Sequence, residues 1–279
     1  MWFKEFKNKK YELDELDLKH NLWRMKNDLL WLCKNTNNIS NLASIYWFDI
    51  DLKNICFPWV LKLEREFKSV FIWYYKQNFR TNDSQYLLDK KYYNVKKNNT
   101  KKIDKIIYNV EDILAKKRSN NIDELVFALT FGEFVTTFTH YNESIFNKVS
   151  FSFNLSPDIF CNILKFLNIL RNSIAHNKTI LKIVDEKNNK RFSLKTSFFD
   201  FQITKEHVDI LSINAGGIIY VISKMIRTPN MNKTKAFLKE VENLLKRLKY
   251  SLDSKNTYLD FVNKIFLNYK DQILNNKKF

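Results

Sequence analysis

The sequence predicts an all-α fold, and its glycine and proline content, its apolar content and the spacing of its apolar residues all point that way. The chain has only 3 glycines and 3 prolines in 279 residues, whereas all-β folds need many turns containing these residues. Hydrophobic residues make up 45% of the chain and aromatic residues 15%, which excludes global disorder. We therefore expect a single helical domain over residues 1–279, with its core at about 57–228.

The N-terminal part is expected to form an extension, residues 1–56, followed by a long helix. Residues 35–38 are polar and predict a loop. Pro58 suits the first position of a helix, so we expect a helix to begin at Phe57-Pro58. Its predicted apolar face consists of Leu61, Phe67, Val70, Phe71, Tyr74 and Tyr75.

Two helices are predicted in the middle of the chain. The first runs from about Ile122 to His140 with Asn120 or Asn121 as its cap, and its interior Gly132 indicates a close helix crossing. The second begins at Ser156-Pro157-Asp158, where a serine cap, a proline at the first position and an acid in the first turn are all typical of a helix start. The apolar stripe of this second helix contains Phe160, Leu164, Leu167 and Ile174.

The C-terminal part is predicted to contain a small β-hairpin and three more helices. Residues 180–184 and 191–194 flank a polar turn and predict the hairpin. A helix is expected from about Lys205 to Ile226, followed by two amphipathic helices within 231–275. The most apolar window, 211–226, is too short and too polar to span a bilayer. The first amphipathic helix carries Phe237, Val241, Leu244, Leu245 and Leu248, and the second carries Phe261, Val262, Ile265, Phe266 and Tyr269.

The net charge of +17 indicates a polyanionic partner, which means a nucleic acid or an anionic membrane. An alternative is compositional, since 39 of the 47 basic residues are lysines and 34 residues are asparagines, a bias typical of AT-rich genomes. The 3 cysteines are scattered and predict no disulfide framework. The first seven residues lack the apolar core of a signal peptide, so we expect a cytoplasmic protein.

Positive charge is concentrated between residues 90 and 118, a segment that contains ten basic residues and three acidic ones. The simpler interpretation is that this segment is a solvated loop between helices. The functional interpretation is that it lies beside a nucleic-acid-binding site and contacts phosphate groups. The densest run contains Lys96, Lys97, Lys101 and Lys102.

One short segment, residues 170–177, carries residues suited to chemistry. The chain contains no Gly-rich phosphate loop and no H-E-x-x-H, and its four histidines lack metal-ligand spacing, so we expect no metal and no cofactor. On a helix, Asn172 and His176 share a face, while Arg171 falls at the edge of the apolar stripe. Because an unpaired buried charge is costly, Arg171 must extend to solvent, pair, or face an anion. The alternative is a structural helix end, with His176 near the negative end of the dipole.

These residues resemble a known family. Arg171-Asn172-x-x-Ala175-His176 resembles the R-N-x-x-x-H motif of the HEPN superfamily of metal-independent ribonucleases. It is more closely similar to the abortive-infection proteins of the AbiD/AbiF type, which are bacterial anti-phage proteins. Residues 127–134 (FALTFGEF) are similar to the L-T-F-G helix of that family, about forty residues upstream, and residues 63–68 followed by Trp73-Tyr74 are a third match.

The resemblance implies a HEPN-like helical bundle that forms a homodimer, in which two motif helices face each other across a basic cleft and make one RNA-cutting site. A ribose 2′-hydroxyl would attack its own phosphate there. Arg171 would hold the charge on the phosphate, His176 would carry the proton, and Asn172 would orient the imidazole or donate to a phosphate oxygen. The family also implies association with a small non-coding RNA. The RNA contacts are expected from Lys178, Lys165, Lys96, Lys97, Lys101 and Lys102.

Two other functions remain open on the sequence alone. A non-catalytic RNA-binding module could use the same basic dimer cleft, with Arg171 and His176 only gripping phosphate. The net positive charge favours this RNA-binding module. The segment after the motif favours it too: where the family has a basic residue this chain has Lys178, but the aromatic residue that often follows in the family is missing. A protein of anionic membrane surfaces, built on the C-terminal amphipathic helices, is the other alternative.

Overall fold

The computed structural model describes residues 39–94, 100–181, 184–185, 190–191, 215–227 and 231–251, and these parts of the chain are dominated by helices. The predicted all-α fold is therefore confirmed. The loop expected at 35–38 and the last predicted amphipathic helix lie outside the described residues. The α-helices of the described residues are α1 (Ile39–Phe79), α2 (Thr100–Lys117), α3 (Ile122–Ala128), α4 (Phe131–His140), α5 (Glu143–Ser152), α6 (Pro157–Ala175), α7 (Ala215–Arg227) and α8 (Met231–Ser251).

Within the segment where a β-hairpin is predicted, the described residues include two paired strands. Strands β1 (Val184–Asp185) and β2 (Lys190–Arg191) pair in antiparallel fashion, with Val184 opposite Arg191 and Asp185 opposite Lys190. Two one-turn 3₁₀ helices, Gln85–Leu87 and Lys90–Tyr92, lie between α1 and α2.

Contacts group the chain into two compact units. One is Val60–Arg171, and the other combines Met1–Trp59 with Asn172–Phe279. The boundaries fall inside α1 and α6.

The core of the Val60–Arg171 unit is built from aromatic side chains. Phe67 of α1 lies 5.0 Å from Phe153 and 5.6 Å from Phe160, measured between ring centroids, and both contacts are edge-to-face. Phe71, one turn further along α1, makes a similar contact with Phe138 of α4 at 5.0 Å. Such pairs add about 0.5–1.5 kcal/mol each beyond the area that they bury. Phe160 thereby anchors the first part of α6 in this core.

Helix α1 corrects the predicted start at Phe57-Pro58, because the helix begins at Ile39 and Pro58 lies in its interior. An interior proline lacks the backbone N–H and costs about 3 kcal/mol or more. Leu52 before the proline and Leu63 after it are both buried, and burying one such side chain contributes about 1.5–3 kcal/mol. Burial on both sides of Pro58 therefore outweighs the cost of the proline.

The helix expected from about 122 to 140 is two helices, α3 and α4. Leu129 between them is extended, with φ −60° and ψ 134°. Thr130 then caps α4, because its side chain accepts from the Glu133 N–H while the Glu133 carboxylate accepts from the Thr130 N–H at 2.8 Å. This reciprocal pair is a capping box, which satisfies two backbone donors that a helix start leaves unpaired.

Other boundaries of the middle helices are as predicted. Asn121 caps α3, since its Oδ1 accepts from Asp123 N at 2.8 Å. Helix α6 begins at Pro157, as the Ser156-Pro157-Asp158 signature predicts. The interpretation of residues 90–118 as a solvated loop is wrong for most of the segment, because residues 100–117 form α2. Buried apolar side chains at helical spacing outweigh the high charge of this segment; they are Ile103, Ile106, Val110 and Leu114.

Gly132 marks a close approach between α4 and α6, which confirms the predicted helix crossing. A Cβ added to Gly132 would lie 3.3 Å from Oδ1 of Asn168, which is closer than ordinary van der Waals contact. Because Gly132 lies in the first turn of α4 rather than mid-helix, it weakens the helix less than an interior glycine would.

We expect Gly132→Val to lower the free energy of unfolding by about 1–3 kcal/mol, because a branched side chain overpacks the approach to Asn168. Ser144→Val is the matched control, since Ser144 is the exposed residue at the same position of α5. That control should change stability by no more than about 0.5 kcal/mol. Urea unfolding of both variants measures the difference, and equal stability would contradict a tight approach at Gly132.

Helices α7 and α8 form the described C-terminal part of the second unit. In α7, every side chain from Ala215 to Ile226 is buried except the half-buried Lys224. The predicted helix of 205–226 is thus confirmed from Ala215 onward, and its first part lies outside the described residues. Trp59 of α1 packs edge-to-face on Phe237 of α8, with ring centroids 5.9 Å apart. The buried face of α8 is the predicted one, comprising Phe237, Val241, Leu244, Leu245 and Leu248.

Among the described helices, none combines the length and the apolar character that a bilayer crossing requires.

Candidate functional site

The motif residues occupy the last turn of α6 and its C-terminal cap. Helical hydrogen bonding extends through the His176 N–H, and the next two N–H groups fold back onto the last turn as a Schellman motif. Asn177 adopts the left-handed conformation that this motif needs, with φ 51°, and His176 is the residue that caps the helix. The bonds run from His176 N to Asn172 O at 3.0 Å, from Asn177 N to Ile174 O at 3.0 Å and from Lys178 N to Ser173 O at 2.8 Å.

Helix α6 presents a polar strip on the side opposite its core face. Phe160, Leu164 and Leu167 are fully buried, whereas Lys165 and His176 are exposed and Asn172 is half-buried. At 100° per residue, Lys165, Asn172 and His176 fall within about 40° of one another around the helix axis. Lys165 lies about 16 Å from His176 along that axis. The strip therefore aligns a cation, an amide and an imidazole along one line.

Arg171 lies at the edge of the buried face of α6 and not on the polar strip. It is half-buried, at the edge of the apolar stripe where helical spacing predicts it. Around the helix axis it lies about 140° from His176, with Asn172 between them. Arg171 carries a fixed positive charge with five donors in a planar fork, a geometry that suits two oxygens of one phosphate.

Residues that follow the motif are held by a buried ion pair from α1. Lys53 Nζ lies 2.6 Å from Asp49 Oδ2, and the two side chains are 7% and 1% exposed. Lys53 also donates to Asn177 Oδ1 at 3.2 Å. Asp49 Oδ1 accepts from Thr179 Oγ1 at 3.0 Å and from Ile180 N at 2.8 Å. This ion pair therefore makes hydrogen bonds to three of the four residues that follow His176.

The contacts of this ion pair compensate for its burial. Taking two charges out of water is offset only when the remaining hydrogen-bonding capacity is filled, and here both partners make further bonds to the segment after α6. Removing one partner of a buried ion pair typically costs about 3–5 kcal/mol. Sequence reasoning missed these two residues. Their signal was an acid and a lysine at i,i+4 within residues 45–60, a mostly apolar stretch that also contains Asp51 and Asn54.

Cys56 is not a candidate nucleophile. Cys56 is fully buried. Burial, and then the nearby carboxylates of Asp49 and Glu240, raise the pKa of its thiol far above neutrality. It therefore stays a neutral thiol, which is a poor nucleophile.

Four of the six lysines predicted to contact RNA lie within the described residues. Lys101 and Lys102 lie in the first turn of α2, Lys165 on α6 and Lys178 just after the motif, and all four are exposed. Lys96 and Lys97 lie outside the described residues. In the parts of the chain that the structure describes, no three His, Cys, Asp or Glu side chains come together as a metal site requires.

Lys102 and Lys165 act on a common neighbour, His140, which is nearly buried at the end of α4. Burial is the main reason that the pKa of His140 is lowered; the charges of Lys102 and, more weakly, Lys165 lower it further. His140 Nδ1 lies 2.8 Å from Thr136 O. Because a carbonyl can only accept, Nδ1 carries the proton in that bond. Helices α2 and α6 thus place positive charge around the end of α4.

Comparison with protein families gives one match. The model of the Abi-like protein family matches residues 19–182, which is more than half of the chain. The matched region contains the L-T-F-G block that begins α4, the whole of α6, the motif and the Asp49–Lys53 ion pair. No curated protein and no solved structure matches the chain. The similarity predicted from the motif is therefore confirmed at the level of the family, and the chain belongs to the Abi-like proteins.

Proposed function

We propose that this protein is an abortive-infection effector that cuts RNA in the cytoplasm as a metal-independent endoribonuclease of the HEPN type. The supporting observation is the end of α6, where Arg171, Asn172 and His176 share one helical turn and its cap. His176 is exposed and the other two are half-buried, so all three keep some contact with solvent, with Arg171 about 140° from His176 around the helix axis. Membership of the Abi-like family supports the biological role.

The reaction uses a nucleophile that the substrate brings. The ribose 2′-oxygen attacks the adjacent phosphorus as His176 accepts its proton, and the bond from phosphorus to the 5′-oxygen breaks. The leaving 5′-oxygen takes up a proton from solvent, and the products are a 2′,3′-cyclic phosphate and a 5′-hydroxyl. Arg171 holds the negative charge that grows on the phosphate oxygens, and Asn172 orients the imidazole or donates to one of those oxygens.

Positive side chains are needed at this end of the helix. The carbonyl end of α6 carries partial negative charge, which disfavours a phosphate group. Arg171 within the last turn and Lys178 just beyond it supply the opposing charge. Lys165 extends this charge along the polar strip, so a bound strand can follow α6 toward the positively charged start of α2.

A two-fold homodimer completes the site in this proposal. The resemblance to HEPN ribonucleases implies that two motif helices face each other, and this chain carries one Arg171–His176 pair. The net charge of +17 fits both an RNA substrate and a bound small non-coding RNA.

Purification of the protein from cells, with analysis of the co-purifying RNA, tests partner and reaction together. We expect RNA fragments with 2′,3′-cyclic phosphate and 5′-hydroxyl ends, and light scattering that gives twice the chain mass of 33.7 kDa after correction for RNA. Binding should weaken steeply with salt, because Lys and Arg contacts to phosphate release counterions. If the bound RNA is intact and no condition produces cleavage, the protein is a non-catalytic RNA-binding module and the proposed enzymatic function is wrong. Binding to anionic vesicles without RNA would favour a membrane-surface role.

A further inference from the structure

The position of His176 depends on what holds the end of α6. A helix end frays unless its last carbonyls and the following residues are tied down. Here the Schellman motif fixes the backbone, and the side-chain oxygen of Asn177, immediately after His176, accepts a hydrogen bond from a second anchor. That anchor is Lys53, about 120 residues earlier in the chain and paired with Asp49.

We propose that the Asp49–Lys53 ion pair is a positioning device for His176, acting through Asn177 and the segment 179–180. This inference rests on the proposed function, because it assigns a catalytic purpose to the placement of His176. The ion pair binds on both sides of Lys178: Lys53 bonds to Asn177, and Asp49 bonds to the Thr179 hydroxyl and the Ile180 N–H. The chain that leaves the catalytic turn is thereby fixed to α1.

The burial of the ion pair is what makes it a rigid anchor. An exposed lysine moves among many rotamers and competes with water for its partners, so it holds little. Lys53 and Asp49 are almost completely shielded from solvent, where hydrogen bonds to charged groups are strong and geometrically specific. General acid–base catalysis requires the imidazole within hydrogen-bonding reach of the proton that it transfers. Small displacements of His176 should therefore lower the rate of cleavage without preventing RNA from binding.

Asn177 offers the sharpest test, because its backbone and its side chain serve separate purposes. Asn177→Gly keeps the left-handed backbone at φ 51°, which glycine adopts without strain, yet it removes the oxygen that Lys53 contacts. Asn177→Asp tolerates the same conformation and retains an acceptor oxygen for Lys53. Lys53→Met removes the anchor itself but leaves Asp49 as an unpaired buried charge. Lys62→Met, at an exposed lysine of the same helix, is the matched control.

Two readouts separate positioning from general stability. Amide hydrogen exchange should show the His176, Asn177 and Lys178 N–H groups exchanging about tenfold faster in Asn177→Gly, with the amides of residues 160–170 unchanged. The kcat for RNA cleavage should fall by about tenfold or more in the same variant, while Kd for RNA and the melting temperature stay close to wild type. Asn177→Asp should restore both readouts, and Lys62→Met should alter neither.

The outcomes are distinct. Wild-type kcat in Asn177→Gly, with or without faster exchange at the three amides, would overturn the positioning role. Unchanged exchange in both Asn177→Gly and Lys53→Met would show that the ion pair does not hold this turn, and would overturn the inference as well. A wild-type protein that cuts no RNA would instead contradict the proposed function. The exchange measurement would then decide alone whether Asn177 and Lys53 fix His176.

Discussion

Replacing His176 with alanine is expected to abolish RNA cleavage while folding and RNA binding remain close to wild type. The His176 side chain is exposed and only its backbone takes part in the cap of α6, so its removal leaves the packing of the helix intact. Loss of a general acid–base group typically lowers the rate by about 10²–10⁴-fold. Single-turnover cleavage of a labelled RNA measures the rate, and filter binding measures Kd.

Arg171→Ala should lower the rate by about 10²–10³-fold and should also weaken binding, because its charge meets the phosphate in the ground state as well as in the transition state. Arg171→Lys separates the two effects, since lysine keeps the charge but not the planar fork. We expect the lysine variant to bind RNA nearly as well as wild type yet to cut slowly. His207→Ala, at a histidine outside the motif, is the control. Full activity of His176→Ala would remove the catalytic role and leave RNA binding as the function.

Local chemistry in the sequence was sufficient to predict α6 and its exposed end. The Ser156-Pro157-Asp158 signature predicts the start of the helix. The spacing of Phe160, Leu164 and Leu167 predicts its buried face. The same spacing places His176 on the opposite side, where it is exposed. These features depend on residues within a few turns of one another, which is the range over which helical periodicity carries information.

Errors arose where a local signal competed with burial. Pro58 is a favourable first residue of a helix, but the buried side chains on both sides of it carry α1 through the proline. In residues 100–117 the lysines favoured a loop, whereas four buried apolar residues at helical spacing form α2. The Thr130-to-Glu133 capping box was visible as a T-x-x-E pattern, yet the apolar residues on either side of it suggested one continuous helix.

The support of the site was beyond the reach of local reasoning. Asp49 and Lys53 form an i,i+4 pair that would normally be assigned to a solvated helix face. In the fold the pair is buried and contacts Asn177, Thr179 and Ile180, which lie 124 to 131 residues later in the chain. Such a contact follows from the tertiary fold and not from periodicity. The catalytic candidates could therefore be named from a short motif, whereas the residues that hold them required the structure.

Cleavage is expected to persist in EDTA and to fail on DNA. In the proposed reaction the nucleophile is the ribose 2′-hydroxyl, which DNA lacks, and the charge on the phosphate is held by Arg171. Both requirements are thus met by the substrate and by side chains of α6. An RNA with a single 2′-methoxy nucleotide at the cut position should survive at that position. It should still bind with near-normal affinity, because binding depends mainly on phosphate contacts from lysine and arginine.

The 2′-methoxy substrate gives the most decisive test, because it changes only the 2′-hydroxyl of one nucleotide and leaves every phosphate in place. The matched control RNA carries the same modification two nucleotides away from the cut position. It should be cut at the same rate as the unmodified RNA. Mass spectrometry of the control products should give a cyclic phosphate on the 5′ fragment and a hydroxyl on the 3′ fragment. Scission beside the blocked ribose would require water as the nucleophile, and loss of activity in EDTA would require a metal ion. Either result would mean that the roles assigned to Arg171, Asn172 and His176 are wrong, because a water- or metal-dependent reaction needs groups that this mechanism does not use.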